Sequence, residues 1–368
     1  MDKAKVYSIG LRTTNGKTRL DKLEKLIDKS GMDAIDFKNK IVAIKMHFGE
    51  PGNMSILRPQ YVAVLVKKIK ELGGKPFLTD CNTLYVGGRK DAIEHMESAT
   101  ANGFVPMVTG APVIIADGLK GSDDIEVPVT GGTYFTSALI GRAVMDADII
   151  ISLNHFKGHE DVGFGGALKN VGMGCGSRAG KMQMHNSGKP LVDEGRCIGC
   201  GACEAICAHG APTKREGSKI HFIDLDKCVG CGRCIATCPV DAIHNKWDSA
   251  IKDLDCKIAE YTKAVLEGRP NFHISLVIDV SPNCDCHREN DVAIVPDIGF
   301  FASSDPVALD RACADAVNAA PVMPHSALTC SEGDHFHTLH ENTHWQYCLE
   351  HGELIHLGTQ AYELISLT

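Results

Sequence analysis

The sequence predicts an α/β fold, with a mostly parallel sheet flanked by helices and interrupted by a small cysteine-rich unit. Three observations lead there. From Val6 to Leu153, apolar runs of strand length alternate with segments of helical spacing. Eight of the 16 cysteines then fall between Cys197 and Cys238. After that segment the strand and helix patterns resume, so one α/β domain is split by an insertion. Two tandem domains fit less well, because the last segment is short for an independent core. The expected boundaries are 1–189 for the first part of the α/β domain, 190–246 for the insert and 247–368 for the second part.

Each element has its own warrant. Val6–Leu11 alternates as a strand, and Leu20–Ile27 has helical spacing. Ile41–Phe48 reads as a buried strand, followed by a helix over Pro59–Leu72 that Gly73 and Gly74 stop. Pro76–Thr79 is the next strand and ends at Asp80; this strand–helix–strand order predicts parallel pairing. Asp91–Asn102 and Ala138–Met145 are expected as helices, and Val113–Asp117 and Ile125–Val129 as short strands. Asp148–Leu153 (DIIISL) is a second buried strand, and a glycine-rich tract follows from Lys157 to Gly180. Beyond the insert, Asp255–Glu267 is a helix, and Ile274–Val280 and Val292–Val295 are strands. Pro306–Asn318 is a helix begun by Ser304 and Asp305, both good N-cap types. Helices over Thr343–Leu354 and Gln360–Ile365 close the chain.

Composition narrows the class. At 368 residues, 44% hydrophobic and with net charge −8, the chain can bury a sizeable core. Nothing in it favours nucleic acid or an anionic membrane. There is no signal-like N-terminal segment and no long apolar run, so a soluble cytoplasmic protein is expected. In that compartment abundant cysteine points to metal binding rather than disulfides.

The cysteines themselves read CIGCGACEAIC and CVGCGRCIATCP, two C-x2-C-x2-C-x3-C runs. This is the spacing of bacterial ferredoxins with two 4Fe–4S clusters, where the fourth cysteine of each run ligates the other cluster. A cubane needs four converging thiolates, and the neighbouring glycines keep the tight turns free of side chains. Cys197, Cys200, Cys203 and Cys238 are thus expected to hold one cluster, and Cys228, Cys231, Cys234 and Cys207 the other. The insert is accordingly expected to be a ferredoxin-like α+β domain. Zinc takes four ligands from paired C-x2-C units, not two interleaved runs.

Four further constellations carry chemistry. Asn154–Gly174 (NHFKGHEDVGFGGALKNVGMG) follows a buried strand, and His155, Lys157 and His159 alternate so that an extended chain puts them on one face. Lys169 and Asn170 open a helix after it. Lys45 and His47 of KMHFGE share a face at a strand's C-terminal end, and Asp80 closes the next strand; such ends are where α/β folds place sites. In the tail, His335, His337, His340 and His344 include a His-x3-His spacing that suits a metal on one helix face. Finally SPNCDCH offers Cys284, Cys286 and His287 as a metal site or reactive thiols, with Cys81, Cys313 and Cys330 as further thiols.

Taken together, KMHFGE, NHFKGHEDVGFGGALKN, the doubled cysteine run, DIGFFASSDPVALDRA and EHGELIHLGTQAYELISL resemble uncharacterised iron–sulfur-centre proteins. These form a family of domains of unknown function with a ferredoxin-type insertion. The resemblance covers nearly the whole chain and implies cluster binding and redox work, without naming a substrate. A histidine ahead of GFGGALK is also similar to the glycine-rich lysine motif of the nickel-pincer lactate racemase family. That resemblance implies that His155, His159 and Lys169 face an organic or metal cofactor.

The expected function is therefore that of a cytoplasmic iron–sulfur oxidoreductase. Two 4Fe–4S clusters would transfer electrons to a substrate or cofactor in a cleft built by Lys45, His47, Asp80, His155, Lys157, His159, Lys169 and Asn170. His155 or His159 would donate the proton. Lysines and histidines suit an anionic small molecule, and the donor would be a redox partner protein. The competing classes are a non-enzymatic electron carrier and a metal- or ligand-binding redox sensor. No nucleotide-binding fingerprint is present.

Overall fold

The computed structural model describes residues 3–85, 87–185, 189–215, 217–244, 251–329 and 333–368. One eight-stranded sheet runs through its centre. In spatial order its strands are Tyr362–Leu367, Ala4–Gly10, Gly299–Ser303, Asn271–Val277, Ile149–His155, Ile41–Lys45, Lys75–Asp80 and Val113–Ile115. Gly299–Ser303 runs antiparallel to both neighbours, and the other pairings are parallel. Strands from before and after the cysteine segment thus share one sheet.

Helices cover both faces of that sheet. Val42, Ile44, Ile149, Ile151, Leu153 and Ile274 pack against Leu23 and Leu26 of helix Arg19–Lys29 and Leu65 and Ile69 of helix Pro59–Glu71. The alternate residues Ala43, Ile150 and Phe301 face Leu168, Ile258 and Leu309, which lie on helices Ala167–Cys175, Ile251–Leu266 and Pro306–Asn318. A strand buried on both faces reads as an unbroken apolar run, which explains DIIISL.

Several expected elements are different in the structure. Ala138–Met145 is not a helix: Ser137–Gly141 pairs antiparallel with Asp124–Pro128, and one helical turn, Arg142–Met145, follows. Ala138 and Ile140 are both buried, a spacing of two that suits a strand. Val292–Val295 forms no strand, and Ile294 is tied instead by single backbone bonds to Val280 and Met323. The last helix starts at Gln346 rather than Thr343, and the chain ends in strand Tyr362–Leu367, not a helix. The open edge of Ala4–Gly10 captures that segment as a parallel partner.

The cysteine segment contributes no strand to the main sheet. It forms two small ladders, Leu191–Val192 with Ile243–His244 and Pro212–Lys214 with His221–Ile223. Two five-residue helices, Ala202–Ile206 and Arg233–Thr237, start after Gly201 and Gly232 at φ of 78° and 67°, a region that strains any side chain. Leu84 and Met182 of the α/β body join Cys203, Ile235 and Ile243 in one apolar cluster, which docks the segment.

Candidate functional site

A cavity of about 570 Å³ opens over the C-terminal ends of adjacent parallel strands. Ile41–Lys45, Lys75–Asp80, Ile149–His155 and Asn271–Val277 each release a loop toward it. A parallel sheet points its strand ends the same way, so the fold itself gathers these loops.

One wall is an ion network. Lys45 Nζ lies 3.0 Å from Asp80 Oδ1 and also donates to Asn170 Oδ1 at 3.0 Å. Arg89 Nε reaches Glu50 Oε2 at 2.9 Å, and its Nη1 lies 3.7 Å from Asp80 Oδ2. Lys45, Arg89, Glu50 and Asp80 are all buried. Burial alone would raise the Asp80 carboxyl, but Lys45, His95, Lys181 and Arg89 together hold it below its ordinary range. A Cβ at Gly174 would crowd the Lys45 ammonium, so glycine leaves room for this pair.

A second wall, which meets the first at Asn170 and Gly174, is the glycine-rich tract. It folds as a small ladder, Lys157–His159 against Gly163–Gly165, and then enters helix Ala167–Cys175. Asp310 caps that helix from 143 residues away, accepting from Ala167 N–H at 2.6 Å and from Leu168 N–H at 2.9 Å. Any Cβ at Gly166 would lie 2.3 Å from the same carboxylate. The cap fixes Lys169 in the first turn, on the cavity wall. Burial, with Lys157 nearby, lowers the Lys169 ammonium to about 8. It makes no ion pair among the described residues, so it is a cation available to a ligand. Burial, reinforced by Lys169, drops His159 well below its usual value, and burial with Arg89 does the same to His47. Both rings are therefore neutral near pH 7.

The third wall is the loop after Asn271–Val277. Asp285 is buried, its carboxylate held by His155 Nδ1 at 2.9 Å and Lys157 Nζ at 3.1 Å. Its backbone carbonyl accepts from Glu50 N–H at 3.0 Å. Cys284 and Cys286 flank it, bonded to each other as a disulfide on the cavity wall. Donor atoms of His47, Cys284 and Cys286 lie within 4.8 Å of one another, as do those of His159, Glu160 and Asp161. The His159 group offers three donors as it stands, whereas the His47 group would offer thiolates only with the Cys284–Cys286 bond open.

In the cysteine segment, one small cavity is lined by Cys197, Cys200, Cys203 and Cys238, and a second by Cys207, Cys228, Cys231 and Cys234. Ala211 N–H donates to Cys207 Sγ at 3.4 Å, and Ala242 N–H to Cys238 Sγ at 3.2 Å. Each donor stands four residues past its cysteine, so the two halves repeat one local design.

The model of the family described as Domain of unknown function (DUF362) matches residues 42–315, a stretch that holds three cavity walls and the cysteine segment. The chain belongs to this family. A thylakoid-associated protein of Synechocystis sp. is 28% identical over 125 residues, which is 34% of this chain and 35% of that protein. Among solved structures, the lactate racemase apoprotein from Thermoanaerobacterium thermosaccharolyticum aligns at a TM-score of 0.34 and 12% identity, over 75% of this chain and 51% of that one. A Thermotoga maritima protein aligns at 0.35 and 15%, over 76% and 54%. The chain thus spans about a third of the curated relative and about half of each structure. No helix among the described residues is long and apolar enough to cross a membrane.

In this DUF362 protein, Lys45, His47, Asp80, Lys157, His159, Lys169 and Asn170 all line the cavity. His155 does not. It stands behind the wall with both ring nitrogens on acceptors, Asp285 and the Ile278 carbonyl at 2.8 Å, and acts as an anchor. The tail histidines stay outside the cavity as well. His340 Nε2 bonds the Pro282 carbonyl, and His337 stacks on His344. His340 and His344 lie between helices His335–Leu339 and Gln346–Leu354, not on one helix face. Cys313 is core, Cys81 is buried at the cavity floor, and Cys330 lies outside the described residues. Sequence reading missed Arg89, Lys181, Asp285 and Asp310. Asp285 carried a signal, since it sits between two singled-out cysteines; the others had none.

Proposed function

We propose that this protein is an iron–sulfur oxidoreductase that reduces an anionic small molecule in the cavity, using two 4Fe–4S clusters held by the two cysteine quartets. When bound, such clusters supply and take up single electrons. The observation that carries the reading is the shared wall: Leu84 lines the cavity and packs, with Met182, on Cys203, beside Cys234 and Cys238. Two small cavities, each lined by one of the quartets, support the interleaved ligation, and all eight thiols lie outside any disulfide. The N–H donors at Cys207 and Cys238 offset negative charge on sulfur.

On the cavity side, Lys45 and Arg89 hold the wall's shape through ion pairs, while Lys169 is left for a carboxylate or similar anion. Its lowered proton affinity also suits it to deliver a proton near neutral pH. An electron carrier needs no such cavity, so the open, charged pocket supports the enzyme over that alternative. A cytoplasmic location and a redox partner protein as donor belong to the same proposal.

The test is an anaerobic iron and sulfide count with electron paramagnetic resonance after dithionite reduction. Eight irons and eight sulfides per chain are expected, with two interacting reduced-cluster signals. Fewer than four irons in strictly anaerobic protein would refute the reading.

A further inference from the structure

We propose that the Cys284–Cys286 disulfide is a redox-active centre that collects two electrons at the cavity wall for delivery to the bound substrate. This rests on the iron–sulfur reading, which provides one-electron donors. A closed-shell reduction needs electrons in pairs, and single-electron centres need a partner that can gather them.

Four observations converge on this pair. First, the bond closes a loop with one residue between its cysteines, and so short a loop restrains the unfolded chain very little. A structural role is therefore weak. Second, both cysteines line the cavity, in a chain whose 13 remaining described cysteines are free. Eight of those are the quartet cysteines, and the other five are buried thiols that form no disulfide; where thiols are kept reduced, a disulfide is usually catalytic or redox-sensing. Third, the intervening Asp285 is clamped by His155, Lys157 and the Glu50 N–H. That clamp anchors the segment between the two sulfurs from behind. Fourth, Lys169 Nζ lies 3.9 Å from Cys284 Sγ, where it can stabilise the thiolate released on cleavage.

The step balances. With one electron from each of the two clusters that the cysteine quartets would hold, the S–S bond would break and two protons would be taken up to leave two thiols. Reoxidation by the substrate returns both electrons and both protons and re-forms the bond.

The test uses the full-length protein, purified anaerobically. Reductive titration is run on wild type, Cys284→Ser and Cys286→Ser, and free thiols are alkylated at each potential and read by mass spectrometry. The expected result is that each variant takes up two fewer electrons per chain, with iron content and cluster signals unchanged. In wild type, alkylation at Cys284 and Cys286 should rise together along a two-electron curve. Equal electron uptake in all three proteins would overturn the proposal. So would a stoichiometric metal lost from both variants, which would make His47, Cys284 and Cys286 a metal site. Missing iron with a normal two-electron alkylation curve would refute the cluster reading while supporting the disulfide chemistry.

Discussion

Replacing Asp80 by asparagine should destabilise this protein by about 3–5 kcal/mol, the usual cost of leaving one buried charge without its partner. The structure sets the scale. Lys45 Nζ and Asp80 Oδ1 are 3.0 Å apart and nearly inaccessible to solvent. At an effective dielectric near ~20 their attraction is about 5–6 kcal/mol, most of it offset in the native state by the desolvation of both groups. Asp80→Asn removes the attraction and keeps the desolvation of Lys45. Asn170 Oδ1 still accepts from the ammonium but carries no charge. Lys45→Met removes the orphaned charge, so the double variant Lys45→Met/Asp80→Asn should recover at least ~2 kcal/mol relative to the sum of the single losses. Urea unfolding followed by circular dichroism, under anaerobic conditions, measures all four corners of the cycle. The dependence on pH gives a second reading. The Asp80 carboxyl titrates below its ordinary value in the folded state, so its stabilisation is present above the unfolded value, near 4, and is lost as pH falls through the folded one. The gap between wild type and Asp80→Asn should therefore narrow in acid. Additive single losses, or an Asp80→Asn cost under ~1 kcal/mol, would refute the view that this pair organises the cavity wall.

Three further outcomes are expected. Reductive methylation with carbon-13, followed by NMR, should show one lysine titrating near 8, and that signal should vanish in Lys169→Met; anion binding should weaken as pH rises through the same range, because the cation is lost. Cys203→Ser and Cys238→Ser should abolish the same cluster signal, while Cys207→Ser abolishes the other; Cys207 and Cys203 sharing a signal would disprove interleaved ligation. Asp310→Ala should cost about 2–4 kcal/mol in the same urea assay, since it strips the buried Ala167 and Leu168 N–H groups of their acceptor; a loss under ~1 kcal/mol would mean the tract's helix does not depend on that cap.

Much of the α/β body was legible in the chain because its signals are local. Helix Pro306–Asn318 announces itself by an Asp at its N-cap and a proline at its first turn, and the structure keeps those ends. DIIISL reads as a strand buried on both faces, and it is one. Where local patterns misled, a partner strand decided. SALIG and YELISL are compatible with either period, and pairing with Asp124–Pro128 and Ala4–Gly10 made both into strands.

The site divides along the same line. Residue type and spacing by themselves determined the doubled cysteine runs, the glycine-rich tract and the charged ends of the buried strands, since each is a contiguous motif whose chemistry depends on near neighbours. Only the tertiary structure decided what those motifs meet. It placed Asp285 against His155 from 130 residues away, turning an apparent proton donor into an anchor. It set Asp310 over the Lys169 helix and brought Cys284 to the Lys169 amine. It also left the tail histidines on loop carbonyls outside the cavity. The physical reason is that burial, counter-charge and hydrogen-bond partner are properties of a location in the fold, and a side chain's role at the site follows from that location.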